Sequence, residues 1–280
     1  NFSQTVARPS FKEKSEALIV DALTGRTFVG NLDLEQSEIQ NFDIRLEKFY
    51  QGGQLISLSG FYKYFVNPIE LVAYSQNATS TFTPRNSSDA TLIGAEFDFR
   101  RNLSFLDEDL KNYSIGANLT YVYSQIDRRK IISPGDDNEL GTADDISEYD
   151  ERVFNKRSGE TIDRYRELQG QAPYVINAYV NYRNDSLGLE CNLSYNVQGK
   201  KLSVVGIARY PNVYEQPFHS LNFKASKTIG KDSRGKLSFT VTNILDDRRE
   251  FLYEAFDTDL ENFTSFSPRQ TFELGYSYSF

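Results

Sequence analysis

The sequence contains no methionine, one cysteine and one histidine in 280 residues. Cys191 alone cannot make an intrachain disulfide. With His219 it leaves too few ligands for a His/Cys zinc site and no redundant way to assemble a Ser-His-Asp or Cys-His arrangement. No stretch approaches the eighteen or so apolar residues of a membrane-crossing helix. A charged segment followed by an apolar run, the mark of a signal peptide, is also missing, so the chain is expected to begin partway through a longer protein or after processing. Acidic residues outnumber basic ones 39 to 31, for a net charge of -8. No basic patch is visible in the sequence, which argues against nucleic acid as a partner. A mean hydropathy of -0.52 suggests a soluble protein, yet a transmembrane β-strand turns only alternate residues to lipid, so average hydropathy does not decide the class.

What is present is alternation. Near the C-terminus Phe272, Leu274, Tyr276, Tyr278 and Phe280 are separated by Glu273, Gly275, Ser277 and Ser279, the period-two pattern of a strand with one apolar and one polar face. Tyr113, Ile115, Ala117, Leu119 and Tyr121 repeat it, as do Leu189, Cys191, Leu193, Tyr195 and Val197. Tyr174, Ile176, Ala178, Val180 and Tyr182 form a fourth set, with Val175 and Tyr179 interrupting its polar face. Aromatic residues gather toward the ends of these runs, where a membrane girdle would lie.

The pattern predicts ten strands, at about 2–8, 38–50, 54–70, 91–103, 113–127, 172–184, 187–205, 218–229, 236–253 and 267–280. Short links at 51–53, 104–112, 185–186 and 230–235 alternate with long ones at 9–37, 71–90, 128–171, 206–217 and 254–266. An up-and-down outer-membrane barrel has short periplasmic turns and long extracellular loops, and so requires this sorting. A soluble β-sandwich does not. Several strands also reach the nine to eleven residues needed to cross a bilayer at a tilt. With no helical repeat, heptad or low-complexity linker, the chain is expected to be one domain.

The segments "TVARPSF", "GNLDL", "IQNFDIRLEKFY" and "ISLSGFYKYFVNPIE", then "GAEFDF", "LQGQAPYVINAYVNY", "NVQGKKL", "FTVTNILDD" and the final "LGYSYSF" resemble, in order and spacing, the C-terminal barrel of TonB-dependent receptors. The likeness spans the whole chain. It implies an all-β, antiparallel up-and-down transmembrane β-barrel in the cell outer membrane of a Gram-negative bacterium. About ten C-terminal strands of a 22-stranded barrel are represented here. The plug, the TonB box and the N-terminal strands, which the family carries upstream, are not recognisable in this sequence. The resemblance further implies partners: outer-membrane lipid, the plug and through it TonB, and a nutrient ligand, which in this family is a siderophore, haem, cobalamin, peptide or glycan. The C-terminal aromatics Tyr276, Tyr278 and Phe280 resemble the signal read by the barrel assembly machinery; they also suit a membrane interface.

The loop "SPGDDNELGTADDISEYDE" is the strongest candidate for a site. Asp136, Asn138 and Asp144 fall at positions one, three and nine of an EF-hand-like loop with Gly141 at six, but Leu140 and Ser147 stand where oxygen ligands are needed. A hydrated acidic loop is the preferred reading, with irregular Ca²⁺ binding as the alternative and no other cofactor. The same loop mixes Asp136, Asp137, Asp144 and Asp145 with Tyr149, Phe154 and Tyr165, a composition suited to gathering a polar ligand over the barrel mouth. Glu96 and Asp98 share a parity with Arg100, and Asp43 and Glu47 with Arg45; charges of both signs along one face fit a hydrated lumen wall better than acid-base chemistry. His219 is expected in a loop or interface, and Cys191 as a small lipid-facing residue. Sequons at Asn77, Asn118 and Asn192 follow from polar-apolar-polar spelling and carry no weight. The sequence therefore predicts a receptor barrel rather than an enzyme, with a soluble all-β binding module as the rival.

Overall fold

The computed structural model of the chain describes residues 1–22, 24–74, 80–133, 141–230 and 233–279; Asn77, Asp136, Asp137, Asn138, Leu140 and Phe280 lie outside them. Strand β1 (Phe2–Ala7) is followed by the short β2 (Leu18–Val20) and β3 (Thr27–Val29), then by the long β4 (Ser37–Tyr50) and β5 (Gln54–Val66). After β6 (Ile69–Ala73) and β7 (Thr81–Asn86) come β8 (Ala90–Asn102) and β9 (Tyr113–Asp127). The segment that follows holds β10 (Ile132–Ser133), β11 (Ile146–Ser147), helix α1 (Glu148–Asn155) and β12 (Tyr165–Arg166). The chain continues through β13 (Tyr174–Asn184), β14 (Leu189–Gln198), β15 (Lys201–Val204), β16 (Asn212–Glu215), β17 (Ser220–Ile229), β18 (Gly235–Thr242), β19 (Arg249–Glu254), β20 (Glu261–Phe266) and β21 (Thr271–Tyr278).

Ten of these strands form one antiparallel meander in the order β1-β4-β5-β8-β9-β13-β14-β17-β18-β21, with β12 attached to the end of β9. This is the expected all-β wall. The sheet is open, with β1 and β21 at its edges. Because the meander reverses at every step, the links 51–53, 103–112, 185–188 and 230–234 fall at one end and all the long connections at the other.

Register puts the apolar residues on one face. Phe2, Phe42, Tyr62, Ile93 and Tyr123 are successive cross-strand partners. Below them runs a second row of Leu46, Leu58, Phe97, Leu119, Ile176 and Val197. A third joins Ile115, Val180, Leu193, Phe223, Val241 and Phe272. Aromatics close the band at both ends: the tilted rings of Phe2 and Phe42 pack with centroids 4.8 Å apart and those of Tyr113 and Tyr182 at 4.9 Å, as in an outer-membrane girdle. The opposite face is polar, with Glu47, Ser57, Asp98, Asn118, Asn177, Asn196 and Ser220 in one row across seven strands. Two glycines in this face serve as seats for aromatic rings. A Cβ on Gly94 would meet the ring of Phe61, and one on Gly116 that of Tyr179, at 2.3 Å in each case. Each ring covers backbone that would otherwise be bare.

The apolar face has no core beneath it. Ile44 and Leu46 are each 69% exposed and Leu274 82%, whereas the buried clusters of Ala73, Phe82, Val204, Tyr210 and Val213, and of Val72, Leu202 and Val205, lie in the long connections. A sandwich would bury the strand faces against each other. The soluble rival therefore fails on where the core is.

Three expected strands are too long, each interrupted by a local break in the ladder. The run 54–70 breaks at Asn67, whose φ of 50° is left-handed, followed by Pro68, which has no N–H to give a ladder. The run 187–205 breaks at Gly199, packed under Tyr174 and Pro173. The run 236–253 breaks at Asn243 and Asp246, both left-handed. Past each break the chain leaves the wall, and the connections expected to be loops are instead folded. Strands β2, β3, β7 and β6 make one four-stranded sheet, β15, β16, β19 and β20 another, and 128–171 contains a hairpin and a helix.

Leu193, 42% exposed on the apolar face, provides the test. Leu193→Arg in the full-length protein should destabilise the barrel by about 2–4 kcal/mol if the site is near the bilayer midplane, measured by denaturant unfolding in lipid vesicles. Asn192→Arg, on the other face, should cost much less. Equal costs would contradict the assignment of faces.

Candidate functional site

Folding of the long connections builds a layer on one end of the wall. Its two sheets join where Val72 bridges Val205 in parallel, with Ala73 N–H donating to Val205 O and Val205 N–H to Leu71 O, both at 3.0 Å. The carboxamide of Gln169 works like an inserted peptide group at this seam. It accepts from Leu71 N–H at 2.6 Å and donates to the carbonyls of Leu71 and Ser203.

Beside the seam lies a buried ionic cluster. Arg166, 5% exposed, places its fork on Glu70, with Nη1 and Nη2 at 2.8 and 2.6 Å from the two carboxylate oxygens. Its Nε donates to Glu148 at 2.9 Å. Glu148 also takes Arg85 at 2.6 Å and lies 3.5 Å from Arg128, and Glu70 accepts from Ser87 and from Gln169 N–H. Burial alone would raise both carboxyl pKa values, but the charges and hydrogen bonds of the arginines outweigh it. Glu70 is thereby lowered and Glu148 held at about 2. These residues come from β6, β7, β12, the segment after β9 and α1, so the cluster ties five pieces of the layer together. Helix α1 starts here because Ser147 caps it, its Oγ accepting from Asp150 N–H at 3.0 Å.

A cleft of about 630 Å³ opens next to α1, lined by Arg128, Arg152, Lys156, Arg157 and Arg209 against Glu160, Asp163 and Glu254. A second lobe of about 340 Å³ shares Arg157, Arg209, Pro211 and Ala255 with it. The sequence, read as having no basic patch, conceals this one. The cations are spread over 128–209 and interrupted by acidic residues; "DRRK" and "NKRSG" were the only local hints.

The sequence model described as "TonB dependent receptor-like, beta-barrel" matches residues 1–244. The chain belongs to that family. Solved structures agree in fold: the copper transporter OprC, at TM-score 0.58 and 14% identity, with all of this chain covering 36% of that one; the ferric enterobactin receptor PfeA of Pseudomonas aeruginosa, at 0.55 and 14%, covering 37%; and the siderophore receptor PirA of the same organism, at 0.52 and 14%, covering 38%. The chain thus spans well under half the length of the receptors it matches. No curated protein matches the sequence. The wall described above is a portion of an outer-membrane receptor barrel.

Within this barrel the residues singled out from sequence fall in different places. Tyr165, on β12, lines a cavity of about 480 Å³ with Arg166, Glu167, Lys200 and Tyr214. Tyr149 lies under Arg129, 4.6 Å from its guanidinium, and Phe154 projects from α1 at 83% exposure. Asp145 accepts from Gly141 N–H at 2.6 Å and Asp144 from Thr142 Oγ1 at 2.7 Å, so both close their own turn. Among the described residues no group of three or more His, Cys, Asp or Glu is placed to hold a metal; Asp136 and Asn138 of the calcium candidate lie outside those residues. Tyr276 and Tyr278 are on the apolar face of the edge strand β21, 63% and 49% exposed. Cys191 shares the apolar row of Tyr182 and Ala225. His219 Nδ1 is hydrogen-bonded to Tyr195 at 2.6 Å, with no nucleophile elbow in the sequence.

Two outcomes test the ionic cluster. Arg166→Met leaves two buried carboxylates without their main partner and should destabilise the layer by roughly 3–5 kcal/mol, seen as faster hydrogen exchange over 69–73 and 148–155 with the wall strands unchanged. The folded pKa values of Glu70 and Glu148 lie below their unfolded ones, so their stabilisation is full above about pH 4.3 and is lost as pH falls toward 2. Protection of the same segments should therefore drop across that window; constant protection would contradict the cluster's role.

Proposed function

We propose that the intact receptor imports a scarce nutrient across the outer membrane by TonB-coupled active transport, and that this chain supplies ten strands of its wall and the layer that gathers the ligand. The observation that carries this reading is the folded, arginine-rich layer standing on one end of a wall that is apolar on one face and charged on the other. In this reading the polar face, with Arg45, Glu47, Asp98 and Arg100, meets a plug contributed by the rest of the protein, and the plug engages TonB. Tyr276, Tyr278 and Phe280 serve the barrel assembly machinery. Asp136, Asp137, Asp144 and Asp145 with Tyr149, Phe154 and Tyr165 serve to gather the ligand, and no cofactor is needed unless 134–145 takes up Ca²⁺. The role is binding and transport rather than catalysis. Similar structures described as a siderophore receptor, a ferric enterobactin receptor and a copper transporter favour a metal or its chelate among the siderophore, haem, cobalamin, peptide and glycan classes.

Growth on a panel of ferric siderophores, haem, cobalamin, oligopeptides and glycans, each as limiting nutrient, tests the reading in strains with and without the receptor and with and without TonB. One nutrient should require both. Growth that never depends on the receptor, or depends on it without TonB, would contradict the reading. Replacement of 134–145 by a short Gly-Ser linker keeps Glu148 and its ion pairs. Intact surface expression with reduced uptake is expected, and unchanged uptake would remove the acidic loop from the ligand path.

A further inference from the structure

The apolar face of the wall carries charge of one sign at its short-link end. Arg101 is the cross-strand partner of Ile115, Lys48 of Ile56, and Lys227 of Leu189 and Leu237, so all three stand on the face that meets lipid. Among the described residues of the ten wall strands, no Asp or Glu shares that face at that end. Toward the long connections the same face carries Glu38 and Asp127 instead, partners of Val66 and Tyr165. The cations are therefore collected where the wall meets one leaflet, the periplasmic one for a barrel with short turns on that side.

Aromatic rings hold two of these cations. The guanidinium of Arg101 packs on two of them, 4.2 Å from the centroid of Tyr50 and 4.8 Å from that of Phe105, and Lys48 Nζ lies 5.3 Å from the same Tyr50 ring. Ring faces attract a cation without cancelling its charge. Neither Lys48 nor Arg101 has an ion pair or a side-chain hydrogen bond among the described residues. The nearby carboxylates are engaged elsewhere: Asp98, on the opposite face, takes Arg100 at 3.3 Å, and Glu108 in the link 103–112 lies 3.8 Å from Lys111. Nε of Arg101 is buried with no hydrogen-bond partner, an uncommon and costly condition. A long cationic side chain at a membrane surface ordinarily extends its head into water. Arg101 is held instead at the level of the girdle, where the acceptor that the bilayer itself supplies is a headgroup phosphate.

We propose that Lys48 and Arg101, seated on Tyr50 and Phe105, bind the phosphate of an anionic phospholipid in the leaflet at the short-link end. A guanidinium matches a phosphate bidentately, and basic side chains near a membrane surface favour lipids of net negative charge. A zwitterionic headgroup would bring its own ammonium against these two cations. From Arg101 the lipid-facing column runs through Phe99 to Phe97, whose cross-strand partner is Leu58. Phe97 and Leu58 are 37% and 56% exposed and give an acyl chain an apolar track leading away from its own headgroup. The site belongs to the wall alone and is independent of which nutrient the receptor carries.

The test is native mass spectrometry of the purified full-length receptor in detergent, titrated with phosphatidylglycerol and, separately, with phosphatidylcholine of the same acyl chains. Phosphatidylglycerol should bind more tightly, and its affinity should fall about fivefold in Lys48→Gln and again in Arg101→Gln, with the heat-modifiable mobility of a folded barrel retained. Lys224→Gln removes a cation from the polar face, where Lys224 pairs with Asn192 and Thr240, and should bind phosphatidylglycerol as the parent does. If Arg101→Gln does not fold, the comparison of Lys48→Gln with Lys224→Gln decides. Equal affinity for the two lipids, unchanged phosphatidylglycerol affinity in the Lys48 and Arg101 variants, or an equal loss in Lys224→Gln would overturn the proposal. So would displacement of phosphatidylglycerol by an equal concentration of glycerol phosphate, which would mark a site for a free anion rather than a lipid.

Discussion

Every backbone N–H and C=O that enters the hydrocarbon must find its partner within the protein, because lipid offers none. The ten-strand meander meets this requirement for each strand from β4 to β18, paired on both sides. The outer edges of β1 and β21 do not meet it, so this wall can sit in a bilayer only when further strands cover those edges. The same pairing sets the register, and register sorts side chains. A shift of one residue in any strand would turn Leu193, Ile176 or Leu119 to the water-filled face and Asn192, Asn177 or Asn118 to lipid. The uninterrupted polar row from Glu47 to Ser220 and the apolar row from Leu46 to Val197 are two readings of that single constraint.

Once the strands are fixed, their long-loop ends lie side by side, and the connections meet as neighbours in space although they are far apart in sequence. They are long enough to bury a core of their own around Val72, Leu202, Val205 and Val213. Arg166, with Glu70 ninety-six residues away and Glu148 on α1, selects one arrangement of the pieces. A buried pair of this kind gains little net stability over an apolar substitute; its effect is to make wrong arrangements costly. Arg128, on the edge of that cluster, and Arg152 beyond it become one wall of the cleft.

The wall was legible in the sequence because period two is a local property: Phe272 to Tyr278, Tyr113 to Tyr121 and Tyr174 to Tyr182 each declare a face without knowledge of their neighbours. The sorting of short and long links gave the topology. Strands such as 113–127 were bounded correctly, but three ends were not legible, since hydrophobic residues continue through Asn67, Gly199 and Asn243 into strands of the layer, and alternation does not record a left-handed residue or a change of sheet. The layer itself was missed for the same reason that its core formed: Val72 and Val205, or Arg157 and Arg209, come together only after the meander has aligned the strand ends. Attention fell on the acidic loop because its charges are contiguous, whereas the basic cleft is dispersed. Among the described residues of the expected loop cluster, Tyr165 lines an open cavity beside Arg166, whereas Asp144 and Asp145 close a turn.

The most direct test of the central claim, a wall with one face in lipid and the other in water, is a nitroxide scan of β13 in the full-length receptor, in a Cys191→Ala background reconstituted in lipid. Spin labels placed singly from 176 to 182 would be measured for collision with oxygen, which concentrates in lipid, and with a water-soluble nickel chelate. The account predicts high oxygen and low nickel accessibility at 176, 178, 180 and 182, and the reverse balance at 177, 179 and 181. Alternation of the opposite phase, or none at all, would contradict it.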